Sequence, residues 1–183
     1  MNYATIKFCD VANGPGVRIS LFVSGCEHYC KGCFNSETWS YDGGYEWTEE
    51  TNKKILELMD RKHIRGLSLL GGDPICAYIH YTDNELLFNL IHDIKEYFPE
   101  KTIWLWTGYY FEELVNLDND LSSDETELQK KIKPLLEYID VIVDGPYMEK
   151  LNNLRLPYAG SENQRVINVT QTINSGKIVL YEA

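Results

Sequence analysis

Four short apolar runs, each stopped by a glycine-bearing polar turn, constrain this chain more than any other feature. Residues 18–23 stop at Ser24-Gly25, 67–70 at Gly71-Gly72-Asp73-Pro74, 102–106 at Thr107-Gly108, and 138–143 at Asp144-Gly145-Pro146. Near-continuous apolar runs of this length fit strands covered on both faces. Helical patterns lie between them. Thr48 is placed as a helix N-cap with Glu49 and Glu50 in the first turn, and Ile55, Leu58, Met59 and Lys62 share a face, so a helix is expected to about His63. Thr82 and Glu85 form a capping box ahead of Leu86, Leu87, Leu90, Ile91 and Ile94, and Pro99 marks that helix's end. A short helix is expected over 111–117 and another ending near Glu137. The first seventeen residues are mixed, with a turn at Asn13-Gly14-Pro15-Gly16, and from about 151 the chain is loop-rich, with short strands at 164–169 and 177–180. Strand, loop and helix in repetition predict an α/β fold with a parallel sheet and right-handed crossovers. Four repeats with one long loop after the first strand predict a sheet curved into a partial, incomplete TIM-like barrel. With 183 residues, 44% of them hydrophobic, residues 1–183 are expected to form a single domain.

In parallel α/β folds ligands bind at the carboxyl ends of the strands. The loop after the first run holds the most reactive chemistry: Cys26, Cys30 and Cys33, spaced Cys-x3-Cys-x2-Cys. Thiolates are the usual ligands of iron–sulfur clusters, and a complete set is four. Three would leave one iron of a [4Fe-4S] cluster open to a small molecule. The alternative is a closed zinc site with His28, Cys9 or Cys76 as fourth ligand, although structural zinc sites usually present ligands in two pairs. The other three strand ends contribute glycines, where backbone can approach a ligand, and polar groups to orient it.

Cys26-x3-Cys30-x2-Cys33 after a first strand resembles the signature of radical S-adenosylmethionine (SAM) enzymes, and Gly71-Gly72-Asp73-Pro74 resembles that family's GGE-type motif. Asn13-Gly14-Pro15-Gly16-Val17-Arg18, Gly32-Cys33-Phe34-Asn35, Trp106-Thr107-Gly108-Tyr109, Val143-Asp144-Gly145 and Gly160-Ser161-Glu162-Asn163-Gln164 are together similar to the activating proteins of anaerobic (class III) ribonucleotide reductase. The resemblance extends to about Val169. It implies a radical SAM type of incomplete barrel, in which Cys26, Cys30 and Cys33 ligate a [4Fe-4S] cluster. Gly71, Gly72 and Asp73 would position the methionine end of SAM, and Gly32, Cys33 and Phe34 would flank the ligand. Reductive cleavage of SAM would give a 5′-deoxyadenosyl radical that takes hydrogen from a glycine of the reductase large subunit. The electron donor implied is one such as reduced flavodoxin. Activation of another glycyl radical enzyme, such as pyruvate formate-lyase, is the nearest rival. Many members of the wider family place an aromatic residue before the third cysteine. Here Gly32 stands there and Phe34 follows it, as in the activating-protein subfamily. No acid/base pair stands out, and no catalytic residue is expected beyond the cluster and SAM sites.

Twenty-eight acidic against seventeen basic residues give a net charge of −11, which argues against a nucleic-acid partner. No run reaches membrane-span length, and the opening Met1 to Phe8 lacks signal-peptide character, so a cytoplasmic protein with no membrane partner is expected. The odd cysteine count fits a reducing compartment. Simpler roles are expected elsewhere: Arg18 in a surface pair, Trp104 and Trp106 packed on one strand face, His28 as a polar loop residue, and Cys9 and Cys76 as small apolar fillers. Asp144 is expected either to meet the ligand or to cap a turn, and Asn163 and Gln164 either to shape a partner surface or to pair loop backbone. The acidic stretch from Asp118 has no assigned role.

Overall fold

Alternation along the strands decides which way each side chain of the sheet points. The computed structural model describes residues 1–117 and 125–182, so the acidic residues 118–124 lie outside it. Its strands are β1 (Asn2–Asp10), β2 (Val17–Val23), β3 (Tyr45–Glu46), β4 (Ile64–Gly71), β5 (Thr102–Trp106), β6 (Val141–Asp144) and β7 (Arg165–Asn168). They form one seven-stranded sheet in the order β3-β1-β2-β4-β5-β6-β7. The helices are α1 (Glu49–Met59), α2 (Pro74–His80), α3 (Glu85–Tyr97), α4 (Phe111–Leu114), α5 (Glu127–Leu136) and α6 (Val169–Ser175). No helix among the described residues is long and apolar enough to cross a membrane.

The four apolar runs are β2, β4, β5 and β6, and they pair in parallel. The sheet is nevertheless mixed, because β1 runs antiparallel to β2 and β3, and β7 antiparallel to β6. One face is apolar and packs on the helices: Ile19, Leu21, Leu67, Leu69, Ile103 and Leu105 are fully buried with Ile55, Met59, Leu87, Leu90, Ile91 and Ile94. Each such side chain contributes about 1.5–3 kcal/mol through burial, more than a typical hydrogen bond, so this face supplies most of the fold's stability.

The opposite face is different. Trp104, Val141 and Val143 form a smaller cluster there with Trp106, Tyr158 and Tyr181, so the C-terminal segment covers it where helices do not. Beside this cluster lies Arg18, fully buried rather than in a surface pair. Its Nε donates to Ser68 Oγ (2.7 Å), its Nη1 to Thr102 Oγ1 (2.9 Å), and its Nη2 to the carbonyls of Leu67 (2.7 Å) and Thr102 (2.8 Å). The guanidinium carbon stands 5.5 Å from the Trp104 ring centroid. Burial lowers the Arg18 pKa to about 10, with the charge of Asp140 opposing the shift, so the group stays cationic at neutral pH. All these hydrogen-bond partners are neutral oxygens, so satisfied hydrogen bonds offset the cost of burying the charge.

Several boundaries differ from those expected. β1, between β2 and the two-residue edge strand β3, occupies part of the mixed N-terminal stretch and has many exposed residues. α1 ends at Met59, and β4 begins at Ile64, earlier than the expected 67. The Thr82–Glu85 capping box is not the helix start: Asn84 is the N-cap of α3 and makes no side-chain capping bond. α2 and α6 were not expected, and of 177–180 only Leu180 forms a bridge, to Ile167. Cys9 is exposed on β1 and fills no core space.

The guanidinium crosses β4 over Gly66, where an added Cβ would stand 1.9 Å from Thr102 O and 2.9 Å from Arg18 Nη2. Gly66→Ala is expected to lower unfolding stability by about 3 kcal/mol, read by urea denaturation. A loss within measurement error would show that the β4–β5 pair can open without cost.

Candidate functional site

The parallel core places the ends of β2, β4, β5 and β6 on one rim, and the loops leaving them meet there. The close approach of the first two is built from backbone. Gly72 N donates to Val23 O and Asp73 N to Gly25 O, both at 2.8 Å, extending the β2–β4 pairing into the loops. A Cβ on Gly71 would lie 2.7 Å from Val23 N, and one on Gly72 would lie 2.4 Å from Gly25 O. Gly71 also sits at φ 106°, a region that disfavours other residues. The glycine pair is therefore required by the approach of the two loops before any ligand is considered.

The cysteine loop is held back toward the turn that follows it: Gly25 N donates to Thr38 O (2.8 Å) and Cys26 N to Trp39 O (3.0 Å). Cys26, Cys30 and Cys33 all line one cavity of about 500 Å³, together with Phe34, Gly71, Gly72 and Asp73. Cys33 Sγ accepts from Asn35 N at 3.4 Å, and the backbone of His28 and of Tyr147 favours the thiolate of Cys26 and of Cys30 respectively. The Cys26 pKa is lowered to about 7, chiefly by a hydrogen bond with the Cys76 thiol, against the opposing effect of burial. Cys76 is shifted upward by the same contact and by burial. Burial raises the Cys30 pKa. Three sulfurs facing one cavity, with backbone that favours thiolate, form a donor set suited to an iron–sulfur cluster.

Asp73 lies at the centre of the rim and is 1% exposed. As N-cap of α2, its Oδ1 accepts from Ile75 N (2.8 Å) and Cys76 N (3.2 Å). Its Oδ2 accepts from Gly108 N (2.8 Å) and Thr107 Oγ1 (2.9 Å) and lies 2.9 Å from His28 Nε2. Because Oδ2 already accepts from the Gly108 amide, the geometry assigns the imidazole proton to Nε2. The Asp73 hydrogen bond raises the His28 pKa, against the opposing effect of burial. Five donors occupy a carboxylate with about four lone-pair sites, so Asp73 has no capacity left for a ligand.

The other sequence candidates divide. Phe34 lines the cavity mouth, 5.1 Å from the Tyr147 ring. Gly32, expected beside the ligand, instead lies against Glu149, with an added Cβ 3.0 Å from Glu149 Oε1. Asp144 is fully buried, accepts from Phe111 N (2.8 Å) and Arg165 Nε (3.1 Å), and serves the framework. Asn163 Nδ2 donates to Pro146 O, while Gln164 joins Gly145 O to the Gly160 and Ser161 amides, so both pair loop backbone. His28 and Thr107 were missed as partners of Asp73. The available signal was Asp73-Pro74, an N-cap followed by proline at the first helical position, which identifies α2 and turns the Asp73 carboxylate inward.

The family model described as a 4Fe-4S single cluster domain matches residues 12–167. The chain is 41% identical over 174 residues to the anaerobic ribonucleoside-triphosphate reductase-activating protein of Enterobacteria phage T4, covering 94% of this chain and 97% of that one. Identity to the protein of the same name from Vibrio cholerae serotype O1 is 42% over 172 residues, 93% of this chain and 99% of the other. For that of Escherichia coli K12 it is 35% over 168 residues, covering 91% and 97%.

Asp73→Asn replaces one acceptor oxygen with a donor that faces other donors. The expected loss of stability for the metal-free protein is about 3 kcal/mol by urea unfolding. A loss below about 0.5 kcal/mol, the range of ordinary surface substitutions, would remove Asp73 from the centre of the rim.

Proposed function

The chain belongs to the anaerobic ribonucleoside-triphosphate reductase-activating protein family, and on that premise we propose that it generates a glycyl radical on the large subunit of an anaerobic ribonucleotide reductase. The observation that carries this reading is the single cavity faced by three cysteines and by the glycine-rich end of β4. In the proposal, the cluster supplies one electron to SAM when bound, giving methionine and a 5′-deoxyadenosyl radical that removes hydrogen from a glycine Cα of the partner. Every other contribution comes from the chain's own residues. Cys26, Cys30 and Cys33 hold three irons and leave the fourth free. The backbone of His28 and of Tyr147 favours negative charge on Cys26 and Cys30, and Asn35 N–H reaches the Cys33 sulfur. Gly71, Gly72 and Asp73 hold the methionine end through backbone, because the Asp73 carboxylate is already saturated. Phe34 flanks the ligand at the mouth and, with Tyr147, limits water.

The proposal includes the incomplete radical SAM barrel. Helices packed on one face of the sheet, with the opposite face left to the C-terminal segment, support it. It also includes a cytoplasmic site of action and an electron donor of the reduced flavodoxin class. The names of the relatives favour the ribonucleotide reductase over pyruvate formate-lyase as target.

Anaerobic reconstitution tests the reading. The expected result is four irons and four sulfides per chain. With a strong reductant, 5′-deoxyadenosine should form from SAM, and a glycyl radical signal should appear on the partner reductase. Cys30→Ala is expected to abolish iron uptake and SAM cleavage together. Stoichiometric zinc without iron or sulfide, or full cleavage activity in Cys30→Ala, would overturn the proposal.

A further inference from the structure

We propose that His28 is a positioning residue. Its hydrogen bond to Asp73 ties the cysteine loop to the end of β5 and so sets the three thiolates relative to the Gly71-Gly72 backbone. This rests on the function proposed above. His28 lies midway between Cys26 and Cys30 and lines the same cavity. Its side chain is 19% exposed, while its neighbours Glu27 and Tyr29 face solvent. The imidazole is fixed on three sides. Nε2 reaches Asp73 Oδ2 at 2.9 Å, and the ring meets Tyr109 edge-on with centroids 4.7 Å apart. The third side is Gly108, whose missing side chain makes the space: an added Cβ would stand 2.5 Å from His28 Cδ2.

The carboxylate that receives this bond also holds Thr107, Gly108, Ile75 and Cys76. One side chain of the cysteine loop is therefore joined to the group that shapes the loops after β4 and β5. The anchors through Gly25 and Cys26 hold the loop at its N-terminal end, Tyr29 packs edge-on against Trp39 with centroids 5.3 Å apart, and the exposed Lys31–Glu149 pair at 3.0 Å is too solvated to add much. None of these reaches the loops after β4 and β5; the His28 bond, shielded and charge-assisted, does.

The test compares His28→Gln, His28→Asn and His28→Ala. Glutamine places an amide donor near the position of Nε2, whereas asparagine places one near Nδ1, out of reach of Asp73. Hydrogen exchange of the metal-free chain is expected to accelerate about tenfold across residues 26–33 in the alanine and asparagine variants and to return toward wild type in glutamine. After reconstitution all three variants should keep wild-type iron content, since the cysteines remain. In alanine and asparagine the KM for SAM should rise about tenfold with a smaller change in kcat, and the change that SAM induces in the reduced protein's electron paramagnetic resonance spectrum should weaken. Gly108→Ala, which displaces the ring without removing it, should reproduce the alanine variant.

Wild-type exchange and KM in all variants would overturn the tether. Equal impairment of glutamine and asparagine would also overturn it, and would assign the effect to ring packing on Tyr109. Should the alanine variant fail to fold, the glutamine–asparagine contrast decides alone. Because exchange is read on the metal-free chain, a wild-type protein that takes up no iron would sink the proposed function while leaving the tether measurable.

Discussion

A carboxylate buried away from water needs donors in place of its hydration, and Asp73 finds them in three directions. The start of α2 contributes two amides, the end of β5 an amide and a hydroxyl, and the cysteine loop an imidazole. None of these segments reaches its position at the rim independently. The glycine pair lets β2 and β4 stay in backbone contact beyond their ends, and Asp73 then extends that contact to β5. The cavity that the cysteines share is the space left among loops joined in this way.

Beneath the rim the sheet has two unlike faces. The helix-covered face is conventional apolar packing. The other is mixed, with Arg18 hydrogen-bonded to neutral oxygens across β4 and β5 and an aromatic group closing over it. A face of this kind tolerates polar groups because every one of the Arg18 donors described is satisfied locally. Trp104, Val141 and Val143 on this face are why β5 and β6 read as continuous apolar runs. The C-terminal segment, with Tyr158 and Tyr181, does for this face what helices do for the first.

Much of the fold was legible because the four central strands are apolar and end in glycine, a pattern independent of partners. β1 was not, since a strand with Lys7, Phe8 and Cys9 exposed in succession has no clear period. α6 was missed because Val169 and Thr172 are β-branched, and burial of both overrides propensity. Thr82 carried a capping signature that lost to Asn84, three residues of local sequence being weaker than the packing of α3. At the site, the cysteines were visible because their ligand chemistry depends on short spacing. The His28–Asp73 pair was not, because its members are separated by 45 positions and each has an adequate local explanation alone. Arg18 shows the same blindness: a cation at the start of an apolar strand looks peripheral until β5 supplies Thr102.

The positions joined at Asp73 also carry a temporal order. The cysteines precede β5 in the chain, yet the loop that bears them leans on Thr107 and Gly108 through a single carboxylate. During synthesis the thiols emerge more than seventy residues before Thr107 and Gly108. The donor set of Asp73 is complete only once both have followed, so the frame of the cysteine loop closes well after its three sulfurs have been made.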